Sequence, residues 1–95
     1  MREIAARWGI PGAYDTIDEL YAAEAIDALF VPSPNLLHFP YAMGALERGL
    51  HVLCEKPLAM TSPQARQLAE AAERVGLITM VPFTYRFMPM SRYAK

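Results

Sequence analysis

Cysteine, lysine and histidine are scarce in this chain. Cys54 is the only cysteine, Lys56 and Lys95 are the only lysines, and His38 and His51 are the only histidines. One cysteine cannot close an internal disulfide, and no Cys or His pair has metal-ligand spacing, so no metal site is expected. Charge is also thin. Only 20% of residues are Asp, Glu, Lys or Arg, and nine basic against ten acidic side chains leave a formal net charge of -1. Without a basic stripe the chain has no electrostatic means of capturing nucleic acid. No apolar run reaches the ~18 residues of a membrane helix. The N-terminal stretch carries Arg2, Glu3 and Arg7 and lacks an apolar core, so it does not read as a signal peptide. A soluble, cytoplasmic protein is the expectation. With 95 residues there is room for one modest core and none for a second domain. At 54% hydrophobic the chain is not disordered, and the charge deficit suits a piece of something larger.

The apolar period switches repeatedly, with punctuation at each switch. Residues 2–8 read as a short helix stopped by Gly9-Ile10-Pro11-Gly12. Thr16 and Glu19 form a capping box, Glu19 reaching back to the cap's own N–H, and predict a helix over 17–23 with Ile17 and Leu20 inward. The continuous apolar run 27–31 predicts a strand buried on both faces. After Pro32-Ser33-Pro34-Asn35, a helix fits 36–48, with Leu36, Phe39, Ala42, Met43 and Leu46 on its stripe and Gly49 at its end. Residues 51–55 predict a second strand. Thr61-Ser62-Pro63-Gln64 opens a helix to Val75, with Ala65, Leu68, Ala69, Ala72 and Val75 inward and Gly76 as its stop. Residues 77–81 predict the third strand. The order is strand, helix, strand, helix, strand, which predicts an α/β fold with three parallel strands and right-handed helical crossovers.

Ligands of open parallel sheets bind where the strands' carboxyl ends meet loops. Three loops belong there: Pro32–Asn35, Glu55–Pro57 and Pro82–Arg86. Asn35 and the N–H groups near His38 stand at a helix N-terminus, which favours anionic or electron-rich groups. Glu55 can accept from ribose-type hydroxyls. Lys56 can polarise a hydroxyl or carbonyl or donate a proton. Each has a plainer reading: Lys56 as a solvated cation, His38 as a cap or packed edge residue, Arg86 as a stem over Tyr85 or Phe87. Cys54, inside an apolar run, reads as a small core residue.

Residues 26–35, His38 and the run Ala45-Leu46-Glu47-Arg48-Gly49-Leu50-His51-Val52-Leu53-Cys54-Glu55-Lys56-Pro57-Leu58-Ala59 closely resemble the glucose–fructose oxidoreductase / inositol dehydrogenase family (Gfo/Idh/MocA). Tyr85-Arg86-Phe87-Met88-Pro89 is similar to that family's motif after its sixth strand, and Pro82 stands where the family often has Gly. The resemblance implies an NAD- or NADP-dependent oxidoreductase that moves a hydride to or from a sugar, polyol or related hydroxyl-bearing small molecule. It implies that Pro32, Ser33, Pro34, Asn35 and His38 line the dinucleotide site. Glu55, Lys56 and Pro57 would lie beside the nicotinamide and its ribose, and Arg86 near the cofactor. Lys56 would be the catalytic cation, and Pro57 would follow a cis peptide.

The glycines stand at 9, 12, 44, 49 and 76, so no G-x-G-x-x-G is present. On the resemblance, the first strand, its glycine-rich turn and the ribose-binding acid belong before residue 1. The substrate domain with its catalytic Asp and His belongs after residue 95. Residues 1–95 then read as a truncated, partial Rossmann domain, the second half of its parallel sheet. Two expectations follow. The strand at 27–31 is left as a bare edge that invites self-association. The chain alone is expected to lack activity, and the alternative reading is a non-catalytic α/β remnant or interaction module.

Overall fold

A computed structural model describes residues 2–94. It contains helix α1 (Arg2–Arg7), helix α2 (Ile17–Ala23), strand β1 (Ala28–Val31), helix α3 (His38–Glu47), strand β2 (His51–Cys54), helix α4 (Ser62–Val75), strand β3 (Thr79–Met80) and helix α5 (Pro89–Tyr93). Short 3-10 turns at Asn35–Leu37 and Thr84–Phe87 precede α3 and α5. The predicted helix over 36–48 therefore divides into a tight turn and a shorter α-helix, with Leu36 left 67% exposed in the turn.

Both capped helices start where the sequence marks them. Thr16 Oγ1 accepts from Glu19 N–H at 3.2 Å, and Thr61 Oγ1 accepts from Gln64 N–H at 3.3 Å. The reciprocal bond of Glu19 differs from expectation, and Gln64 repeats its pattern. Glu19 Oε2 accepts from Asp15 N–H and Gln64 Oε1 from Met60 N–H, one residue before the cap in each case. The long side chains reach past the extended cap residue to the preceding donor. At the far end of α4, Gly76 takes φ +67° and returns its N–H to Ala72 O, the left-handed stop that a Cβ would disfavour.

The three strands form one parallel sheet in the order β1-β2-β3. β1 pairs from Ala28↔His51 to Val31↔Cys54, and β2 pairs with β3 at Val52↔Thr79 and Leu53↔Met80. Of the predicted third strand only Thr79 and Met80 are extended strand residues, with the Ile78 carbonyl accepting from the Val52 N–H at 3.1 Å. Two successive crossovers of the same hand put α3 and α4 on the same side of the sheet. Their apolar stripes meet Leu29, Val31, Val52 and Cys54 there, and Ala42, Ala45, Leu46, Leu68 and Ala71 complete the core. The stripe of α4 departs from expectation. Ala71 is buried, whereas Ala69 is exposed and Val75 is 42% exposed. Arg48, which follows α3, lies over the Tyr21 ring at 4.1 Å and ties α2 to the same layer.

The prediction of a strand buried on both faces is overturned for β1, and β3 is likewise open. Burial alternates along β1, with Leu29 and Val31 inside and Phe30 53% exposed. Met80, in register with Leu53 and through it with Phe30, is 55% exposed. A run apolar on both sides is built for two layers of cover, and the described helices supply one.

Candidate active site at the carboxyl edge of the sheet

Parallel pairing brings the carboxyl ends of all three strands to one edge. At that edge the ladder extends one residue further, because Glu55 N–H donates to Val31 O at 3.1 Å. The loop Pro32–Asn35 and the turn Glu55–Pro57 therefore emerge side by side from adjacent strands. The Lys56–Pro57 peptide is cis, as the family resemblance implied.

His38 sits beneath both loops with no exposed surface. Its Nδ1 lies 2.6 Å from the Pro57 carbonyl oxygen and its Nε2 2.9 Å from the Ser33 carbonyl oxygen. One imidazole thus spans the loop after β1 and the turn after β2. Spacing in the sequence gave no sign of this, since the partners lie five residues before and nineteen after the ring. Any influence of His38 on a ligand passes through the loops it joins.

The polar groups on the open side are few. Glu55 is half-buried, and its Oε2 accepts from the Lys56 N–H at 3.2 Å. Lys56, Pro32, Pro34 and Asn35 are exposed, and Ser33 is partly buried. Arg86 lies on the turn after β3, exposed, with its N–H on the Phe83 carbonyl. Among the described residues, no hydrogen bond joins Arg86 to Glu55, Lys56 or the Pro32–Asn35 loop. The structure therefore gathers the two loops and His38 into one hydrogen-bonded unit, with Arg86 on the neighbouring loop.

Cys54 ends β2 directly beneath this edge and is 1% exposed. Burial, with a smaller push from the Glu55 carboxylate, raises its thiol above the ordinary value of 9.0. The folded chain therefore holds the thiol proton to higher pH than the unfolded chain does. That contribution to stability is complete below pH 9 and is lost as pH rises beyond it. At pH 8 we expect a maleimide to leave Cys54 unmodified in the folded chain and to label it at once in urea. Rapid labelling without denaturant would contradict this core position.

Among the described residues no helix is long and apolar enough to cross a membrane. No group of three His, Cys, Asp or Glu among them could hold a metal ion.

Known proteins resemble this arrangement closely. The sequence model of the oxidoreductase family with an NAD-binding Rossmann fold matches residues 1–83. D-xylose 1-dehydrogenase (NADP(+)) 2 of Haloferax volcanii is 40% identical over 91 residues, which are 96% of this chain and 28% of that enzyme. The scyllo-inositol 2-dehydrogenase (NADP(+)) IolU of Bacillus subtilis is 33% identical over 87 residues, 92% of this chain and 26% of that enzyme. A 3-ketoreductase from Actinomadura kijaniata, crystallised with NADP and TDP-benzene, superimposes with a TM-score of 0.84 at 32% identity. That match covers 98% of this chain and 28% of the ketoreductase. The chain spans about a quarter of the length of the curated relatives it matches.

Proposed function

The chain belongs to the Gfo/Idh/MocA oxidoreductase family, with its NAD-binding Rossmann fold, and from that premise we propose that residues 32–57 form the nicotinamide-side part of an NAD(P) site. In this reading the protein oxidises or reduces a sugar, polyol or related hydroxyl-bearing small molecule. One observation carries it. The Pro32–Asn35 loop and the Glu55–Pro57 turn leave adjacent parallel strands and are bonded to each other through His38.

The residues fit the nicotinamide and its ribose. Glu55 offers carboxylate oxygens to ribose hydroxyls, Asn35 and the loop backbone offer amides, and Pro32 and Pro34 offer a flat apolar wall. Arg86, on the adjoining loop, supplies a second cation near the cofactor. When bound, the nicotinamide supplies the hydride acceptor or donor. The chain's own contribution to chemistry is Lys56. In the oxidation direction the carbinol carbon would give its hydride to the nicotinamide and the hydroxyl its proton to a general base of the substrate domain that the family resemblance implies, so the oxygen passes through alkoxide-like character to carbonyl. An ammonium beside that oxygen stabilises the charge where it develops, more in the transition state than in the bound substrate. Lys56 is exposed on the rim and free to meet it.

A graft tests the reading. The 91 matched residues replace their counterparts in the Haloferax xylose dehydrogenase, which is 40% identical over that length. Retained NADP-linked oxidation of D-xylose is expected. A folded graft that no longer binds NADP would overturn the proposal. The 95-residue chain by itself is expected to show no NAD(P)-linked oxidation of inositol or glucose, because it contains no glycine-rich phosphate turn.

The reading includes a cytoplasmic location, supported by the single unpaired thiol. It also includes self-association of the isolated chain. β1 is an edge strand, and Phe30 and Met80 stand exposed on the open face. Light scattering at high concentration should show dimers or larger species; a clean monomer would count against it.

A further inference from the structure

The layer between the sheet and its two covering helices is not completely filled. Between α3, α4, β2 and β3 lies a pocket of about 130 Å³, partly open to solvent. Leu46, Val52, Cys54 and Leu68 line it and are buried, whereas Ala69 and Thr79, also in the lining, are exposed and form its rim. No Asp, Glu, Lys, Arg or His lines it. The one titratable group there, the Cys54 thiol, is turned to main-chain oxygens, Glu55 O at 3.5 Å and Leu58 O at 3.9 Å. Such walls can neither pair a charge nor replace the water that a hydroxylated molecule gives up on entry. What they lack is apolar atoms to touch, since side chains that face a void forfeit dispersion contacts. An apolar cavity of about 150 Å³ is known to admit benzene or xenon, and this pocket is of similar size.

We propose that this pocket is a second binding site, for one compact, uncharged apolar ring, and that its occupant is felt at the Lys56 turn through Leu58. Leu58 lines the pocket, packs against the core half-buried, and follows Lys56 by two residues. A guest in the pocket therefore rests against the same turn that carries the exposed ammonium. The site is distinct from the polar edge above it. Glu55, Asn35 and Lys56 lie outside its lining, so a dinucleotide or a sugar finds nothing there to bond. The proposal stands on the volume and chemistry of the walls and needs no part of the cofactor reading.

The experiment is methyl and amide NMR of the 95-residue chain, titrated with benzene and, separately, with benzoate. Benzene is expected to bind with a Kd of about 1 mM, modest for six carbon atoms. It should shift the methyls of Leu46, Val52, Leu58 and Leu68 together with the Lys56 and Leu58 amides. Benzoate, the same ring with a charge, is expected to leave all of them still. Ala69→Leu sets a longer apolar side chain at the rim and should weaken benzene binding about tenfold or more. Ala69 is exposed and Leu is a good helix former, so α4 tolerates the change. The comparison of benzene with benzoate uses the wild-type chain, so it decides the matter even if that variant misfolds. Methyls that stay in place up to the solubility limit of benzene would overturn the site. So would equal binding of benzoate, or shifts centred on Phe30 of the open face. Pocket shifts with the Lys56 and Leu58 amides unmoved would overturn the link to the turn. NADPH takes no part, so failure here leaves the cofactor reading to its own test.

Discussion

Lys56→Met in the grafted dehydrogenase is expected to lower turnover by ~10²–10³-fold, the usual loss when one electrostatic donor is removed from a developing oxyanion. The affinity for NADP should change far less. The reason is differential: the ammonium meets little charge on a bound hydroxyl and much more on the oxygen as hydride departs. Met keeps the length and apolar stem of Lys, and position 56 is exposed, so the fold has no reason to suffer. Steady-state kinetics with D-xylose and NADP decide it. Turnover within about twofold of the parent, against the loss expected for a lost donor, would remove Lys56 from the chemistry.

The second large effect is on stability. Leu46→Ala should cost about 3 kcal/mol, read as a lowered urea midpoint with an unchanged slope. Leu46 is 2% exposed and lies among Leu29, Val52 and Leu68, where α3 meets the sheet and α4. It also lines an apolar pocket of about 130 Å³, partly open to solvent, together with Ala42, Val52, Cys54 and Leu68. Truncation there removes packed apolar contacts where α3, α4 and the sheet meet. A domain of this size holds only ~5–10 kcal/mol in total, so the loss is a large share. A change below about 1 kcal/mol would show that the core closes around the gap.

What could be read from the sequence follows from what periodicity records. Thr16, Thr61 and Gly76 marked helix ends through local chemistry, and the structure keeps each at its place. The strands expected at 27–31 and 51–55 are parallel in the structure, and parallel strands with helical crossovers fix which loops share an edge. The grouping of Pro32–Asn35 with Glu55–Pro57 was therefore legible before any coordinates. The exposure of Phe30 and Met80 was not. An apolar residue reports that cover suits it, and the described helices cover only the other face. The seat of His38 was equally hidden, because its two partners are main-chain carbonyls, which every residue carries and no side-chain pattern marks. The reciprocal cap of Glu19 was placed one residue late, on Thr16 in place of Asp15, because main-chain N–H groups carry no pattern either.

The central claim is that the two loops joined by His38 receive the nicotinamide side of NAD(P). An amide NMR titration of the 95-residue chain with NADPH addresses it without any second domain or turnover. Binding is expected to be weak, in the millimolar range, because the chain offers no glycine-rich turn for the phosphates. The amides that move should be Ser33, Asn35, His38, Glu55, Lys56 and Leu58, with α1 and the exposed side of α4 still. Shifts confined to α1 or α4, or a saturating titration that leaves residues 33–38 and 55–58 silent, would contradict the assignment of this edge as the cofactor site.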